Sequence, residues 1–180
     1  DKDTPDYEQT VDLFTEAIRK ATPLAGSRSE NVRSVAQQVL LDAHLGTAQA
    51  IAQGTWQQKN RVIPKWISRA NSIVEKIDKK DPSRDRLELD LTCGVLAVAA
   101  GSANAIEAVP WVKRLLAIRE KMNDSVTDPW RRRQIDWQVG CGLNNALETA
   151  RKRGDAEDML DKATLTVAYL ERGAEHRELT

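Results

Sequence analysis

The sequence predicts an all-α fold: an α-solenoid of about three antiparallel helix pairs, with a period of about 47 residues, preceded by one capping helix. A motif of an apolar residue, an aspartate and, four residues later, a glycine occurs three times at steps of 48 and 46 residues. Its copies are Leu41-Asp42-x3-Gly46, Leu89-Asp90-x3-Gly94 and Ile135-Asp136-x3-Gly140. Asp-Pro occurs at residues 81–82 and again at residues 128–129, a step of 47. Such a period is typical of helical repeats, whose units bury their apolar faces against their neighbours.

Composition and length agree with this prediction. Aromatic residues make up 4% of the 180 residues, and helix-forming residue types dominate. We expect a single helical-repeat domain over residues 1–180, with a capping helix over 4–22 and units over about 27–78, 81–122 and 128–172. No apolar run is long enough to cross a membrane, so no membrane span is expected. The sequence predicts no particular compartment or oligomeric state, and it leaves open whether the chain is a fragment of a longer protein.

The capping helix and the first unit have clear start and stop residues. Thr4-Pro5 supplies an N-cap and a proline at the first helical position. An apolar stripe follows, formed by Tyr7, Val11, Phe14 and Ile18. Ser27-x-x-Glu30 predicts a capping box for a helix over 28–53. The core face of that helix is predicted to consist of Val32, Val35, Val39, Leu40 and Ala43.

The later helices follow the same pattern. Gly54-Thr55 predicts a turn and a partner helix from Thr55 to about Asp78. Asp81-Pro82 starts the second leading helix, and Gly101-Ser102 is expected to start its partner. A proline in each partner helix, Pro64 and Pro110, predicts a kink or a short break.

The third unit is expected to begin at Asp128-Pro129, to turn at Gly154-Asp155 and to end near Arg172. Its leading helix is predicted to be longer by nearly two turns, or to begin later than its cap. The glycine that recurs inside each leading helix, at positions 46, 94 and 140, predicts close approach of a neighbouring helix.

Two stretches resemble tetratricopeptide repeats, in particular the long-unit type of kinesin light chains. Leu115-Leu116-Ala117-Ile118-Arg119-Glu120-Lys121 is similar to the second helix of that repeat, which often reads A-L-x-I-R-E-K. Leu143-Asn144-Asn145, followed by a helical run to Gly154-Asp155, is similar to its leading helix. The resemblance covers residues 111–170 best and implies a right-handed superhelix whose leading helices bind peptides. It implies groove-facing positions at Cys141, Asn145, Glu148, Arg151 and Lys152.

The charge distribution offers a second hypothesis. Net charge is zero, but residues 109–153 hold ten basic and five acidic residues. Arg131, Arg132 and Arg133 lie beside Trp130, and basic residues with aromatics suit nucleic acid. Neighbouring residues of a helix point in different directions, so the triplet does not form one surface. The excess is therefore either a docking surface for an acidic partner or a solvated face.

No residue pattern indicates catalysis. There is no phosphate-binding glycine loop and no nucleophile motif, and the two histidines, His44 and His176, lack metal-ligand spacing. Cys93 and Cys141 lie at matching places in successive units and are either paired or free thiols. The repeated aspartates would form a ladder in stacked units, or each would be bonded locally. No cofactor, metal or catalytic residue is predicted.

These observations predict a non-enzymatic scaffold that binds a protein or peptide on the surface of its leading helices. The expected contact residues are Asn145, Glu148, Arg151, Lys152, Arg131 and Arg132. The alternative is binding of nucleic acid or an acidic ligand through the basic third unit. The sequence does not identify the partner.

Overall fold

The computed structural model describes residues 7–174, and the all-α class is confirmed: that range contains seven α-helices and no strand. The chain divides into two compact units between Leu87 and Glu88, inside the fourth helix. The helices are α1 (Tyr7–Ala21), α2 (Glu30–Gln53), α3 (Lys59–Glu75), α4 (Arg84–Gly101), α5 (Ala108–Ser125), α6 (Pro129–Arg153) and α7 (Ala156–Ala174); a 3₁₀ segment, Thr22–Gly26, follows α1. The solenoid arrangement remains a prediction.

In the first unit, α2 packs between α1 and α3. Phe14 of α1 lies against Gly46 of α2, where an added Cβ would come within 2.4 Å of the ring, so the glycine permits this approach. Val11, Phe14 and Ile18 are half-buried. The proposed Thr4-Pro5 cap lies outside the described residues. At its other end α2 stops at Gly54, as predicted.

The second unit contains the last residues of α4 and all of α5, α6 and α7. Glycines permit the close approach of α6 and α7: Gly140 lies against Leu170, and Gly173 lies against Trp137. These two contacts show that the helices are antiparallel. Asp128 caps α6 by accepting from the Trp130 amide at 3.1 Å, and Gly154 ends α6 in the left-handed region with φ 72°. Both predictions are confirmed. At 25 residues, α6 is longer than the 18-residue α4 by nearly two turns.

Three predicted helix starts are wrong. The Ser27 hydroxyl accepts from the Ser29 amide, and α2 begins only at Glu30, so Ser27 and Glu30 form no capping box. Gln58, rather than Thr55, precedes the first residue of α3. The partner helix that was predicted to start at Ser102 begins at Ala108. This start places Pro110, which lacks an N–H, in the first turn, where proline is tolerated. The predicted break is also wrong, because Pro64 lies inside the continuous helix α3 and Pro110 is the third residue of α5.

Each unit contains a side-chain hydrogen bond between two residues that lie 48 positions apart in the sequence. In the first unit, Arg86 donates to Gln38 at 3.0 Å. In the second unit, Gln138 donates to Asp90 at 2.7 Å. Asp136 is 6% exposed and accepts from Arg119 at 2.5 Å, so it is a buried structural acid and not the next step of a ladder.

Candidate functional site

The predicted site on α6 opens onto a groove between α6 and α7, beside the turn at Gly154. The groove combines one charged pair with apolar and small side chains. Its lining residues are Asn144, Leu147, Glu148, Arg151, Ala156, Met159, Leu160 and Ala163. Leu160 of α7 lines this groove and is 71% exposed. The structure thus brings Glu148 and Arg151, two of the predicted residues, together with exposed apolar surface.

Glu148 and Arg151 form a bidentate pair one helical turn apart. The Arg151 guanidinium donates to both carboxylate oxygens of Glu148, at 2.8 and 2.6 Å. These hydrogen bonds lower the pKa of Glu148 and raise that of Arg151. Both groups face solvent, so the pair adds little stability. Asn145 is half-buried nearby, and its backbone carbonyl accepts from Thr149.

Lys152 and the following arginine contact the end of α4 and the loop after it. Lys152 Nζ donates to the Ala100 carbonyl at 2.5 Å. Arg153 donates to the carbonyls of Ala103 and Ile106, and it pairs with Glu107 at 3.1 Å. Cations at a helix C-terminus satisfy carbonyls that lack intrahelical partners and oppose the negative end of the helix dipole. These side chains therefore support the α4–α5 loop of the second unit.

The arginine triplet at the start of α6 is similarly divided. Arg132 donates to the carbonyls of Asn123 and Val126, at the C-terminal end of α5. Arg131 is exposed, whereas Arg133 is half-buried. Trp130 and Trp137 are 51% and 42% exposed. The structure therefore does not gather Arg131 and Arg132 into one surface with Arg151.

An apolar groove between α1 and α2, in the first unit, was missed by the sequence analysis. Val32, Val35 and Val39, predicted as core, are 40%, 63% and 37% exposed, so the prediction is wrong for these three valines. It is confirmed for Leu40 and Ala43, which are buried together with Ala36. The groove is lined by Ala17, Lys20, Ala21, Leu24, Asn31, Val32, Val35, Ala36 and Val39. Two adjacent apolar stripes on one helix could have indicated it, since a single neighbour covers only one stripe.

The remaining reactive side chains are poorly suited to catalysis. Cys93 and Cys141 are free thiols. Burial raises the pKa of Cys93 to about 12 and also raises that of Cys141, which disfavours the nucleophilic thiolate. His44 is buried against Trp66, with ring centroids 5.5 Å apart, and burial lowers its pKa to about 4. His176 lies outside the described residues.

Among residues 7–174, no group of three or more histidine, cysteine or acidic side chains is arranged to hold a metal ion. None of the described helices is long and apolar enough to cross a bilayer. Comparison of the chain with protein-family models, with curated proteins and with solved structures finds no match. Function must therefore be argued from the grooves themselves.

Proposed function

We propose that the chain is a non-enzymatic helical-repeat scaffold that binds a protein or peptide partner on the surface of its leading helices, with α6 as the contact helix. The observation that carries the proposal is the α6–α7 groove, in which exposed Leu160 lies beside the Glu148–Arg151 pair. Exposed apolar surface bordered by charge is typical of a protein-interaction site.

The groove has two recognition elements. Leu147, Met159 and Leu160 offer an apolar surface for one side chain of a peptide. Arg151 offers guanidinium donors for a carboxylate beside it, in exchange with Glu148 or shared with it. The groove therefore favours a peptide that carries an apolar anchor residue next to an acidic one. Lys152 and Arg132 act in this proposal as supports of the scaffold, since both donate to backbone carbonyls.

The nucleic-acid alternative is less well supported. Six of the ten basic residues in 109–153 direct donors to internal acceptors: Arg114, Arg119, Arg132, Arg151, Lys152 and Arg153. A phosphate backbone is bound most strongly by cations that meet it together on one face. The basic excess therefore stabilises helix ends and ion pairs more than it forms a binding face.

The raised thiol pKa values favour a binding role over a nucleophilic one. A thiol that is protonated at neutral pH reacts slowly as a nucleophile. His44 packs against the indole ring of Trp66 in the first unit. The first unit contains no cysteine, because Cys93 and Cys141 both belong to the second. These features support a chain that recognises its ligand without transforming it.

A peptide-display selection on the whole chain tests the proposal. Binding of the selected peptides would then be measured by calorimetry for the native chain, Arg151→Glu and Leu160→Ser. Arg19→Glu is the matched control, since Arg19 forms the same bidentate pair with Glu16 on α1, at 2.8 and 2.7 Å. We expect about tenfold weaker binding for Arg151→Glu at low ionic strength, and a smaller effect at high salt.

The outcomes separate the alternatives. Loss with Arg151→Glu and Leu160→Ser, but not with Arg19→Glu, supports the α6–α7 groove. Equal binding by all variants contradicts it. Binding of an oligonucleotide that is lost in Arg131→Glu favours the nucleic-acid alternative instead.

A further inference from the structure

We infer that the α1–α2 groove of the first unit is a second docking surface, which takes an amphipathic helix of a partner protein with acidic residues flanking its apolar face. This surface is separate from the α6–α7 groove of the proposed function and does not depend on it. Its lining is apolar except for Lys20 and Asn31, one basic and one neutral residue.

The shape of the groove suits a helix. Val32, Val35 and Val39 follow one another along α2 at the i, i+3, i+7 spacing of one helix face. On α1 and the 3₁₀ segment, Ala17 and Leu24 form the opposite wall. Two antiparallel helices that each present an apolar stripe form a groove along their axes, into which the ridge of a third helix packs. The valine stripe spans about 10 Å, roughly two turns of a bound helix.

The charge beside the groove selects an acidic partner. Glu16 pairs with two cations: Arg19 donates hydrogen bonds to both of its carboxylate oxygens, and Lys20 Nζ lies 3.3 Å from one of them. This group of three side chains therefore carries a net positive charge, and Lys20 is its member on the groove wall. Carboxylates that flank the apolar face of a bound helix would complement Lys20.

A second copy of the chain fits less well, because it would bring a second Lys20 into the same interface and so add like charge there. A partner helix satisfies both the valines and the lysine.

The test uses a synthetic helical peptide of about 18 residues, with Leu at the i, i+3, i+4, i+7 positions and Glu on both flanks. Its affinity for the whole chain would be measured by fluorescence anisotropy. A second peptide carries Lys in place of every Glu. The protein variants are Val35→Ser and Lys20→Glu. The matched controls are Val167→Ser on α7, which is 54% exposed against 63% for Val35, and Lys65→Glu on the exposed face of α3.

We expect the acidic peptide to bind at least about tenfold more tightly than the basic one. Val35→Ser and Lys20→Glu should each weaken it by about fivefold or more, while Val167→Ser and Lys65→Glu leave it unchanged. Circular dichroism should show the same helix content for all four variants, because every substituted side chain is exposed or lines the open groove.

Four results would overturn the inference. They are equal affinity for both peptides, equal loss in the controls, a concentration-dependent dimer of the chain that Val35→Ser disrupts, and binding to anionic lipid vesicles that depends on Val35. Because none of these variants alters Arg151 or Leu160, such a failure leaves the α6–α7 proposal untouched.

Discussion

The same short motif occurs beside both grooves and serves different ends. Glu16-x-x-Arg19-Lys20 on α1 and Glu148-x-x-Arg151-Lys152 on α6 each form a bidentate Arg–Glu pair, at 2.7–2.8 Å and 2.6–2.8 Å. The lysines differ. Lys20 lines an apolar groove, whereas Lys152 donates to the Ala100 carbonyl at the end of α4. The lysine of this motif thus lines a groove in one unit and bonds to a neighbouring helix end in the other.

The comparison shows that charge excess alone does not mark a binding site. Residues 109–153, within the second unit, hold ten basic and five acidic residues, yet many of these cations bond to helix ends and internal acids. The first unit exposes three valines that a single-stripe interpretation assigns to the core. Four changes would break or sharpen this contrast.

The largest effect is expected where a charge of the second unit is buried. Arg119 and Asp136 are 9% and 6% exposed and are bonded at 2.5 Å. Removing one partner leaves an uncompensated buried charge, so Asp136→Ala should lower the free energy of unfolding by about 3–5 kcal/mol. Denaturant melts would measure this loss. The exposed counterpart, Glu16→Ala, should leave the denaturation midpoint almost unchanged, and a similar loss in both variants would contradict the contrast.

The buried titratable group of the first unit has no such partner. Nδ1 of His44 lacks a hydrogen bond, and burial lowers the pKa of His44 from 6.5 to about 4. The unfolded chain therefore binds the proton more readily. The stability that depends on neutral His44 is complete above pH 6.5 and is lost as the pH falls towards 4.

Between pH 7 and pH 5 we expect the free energy of unfolding to fall by about 2 kcal/mol on account of His44. Replacement by Phe should remove that part of the slope, as measured by urea melts at both pH values. An unchanged slope in His44→Phe would show that His44 is not the group responsible.

The two lysines of the shared motif allow a direct comparison. Lys152→Met removes the hydrogen bond to Ala100 and should cost about 1 kcal/mol, reduced by partial exposure. Lys20→Met should change stability by less than about 0.3 kcal/mol, because an exposed pair contributes little. Thermal melts of the two variants measure the difference. Equal melting temperatures for the two variants would contradict the structural role of Lys152.

The smallest effect is expected at the exposed valines. Val35→Thr should change the free energy of unfolding by less than about 0.5 kcal/mol, as at most surface positions. Ile63→Val, which removes one methylene at a fully buried position of α3, should cost about 0.5–1.5 kcal/mol. If Val35→Thr cost as much, Val35 would belong to the core after all, and the groove would be closed.

Local signals in the sequence predicted much of the fold. Asp128-Pro129 and Gly154 act within a few residues of themselves, so their cap and turn could be located. The late start of α5 at Ala108 could not be, because Gly101-Ser102 resembles a turn and the loop is held by Arg153 from 50 residues away. The sequence analysis predicted that Lys152 and Arg132 lie on an exposed helix surface. It could not predict their carbonyl partners, because those partners are set by tertiary packing. The valine stripe was assigned to the core because two apolar stripes were treated as one.

The most direct test of the contrast is methyl NMR of the whole chain, labelled at valine, leucine and isoleucine, titrated with the acidic amphipathic peptide. The account predicts that the shifts concentrate at Val32, Val35, Val39 and Leu24, while Val139 and Leu143 of the second-unit core keep their positions. Shifts confined to the second unit, or none at a peptide concentration that saturates the anisotropy signal, would contradict the claim that the partner surface of the first unit is its exposed valine groove.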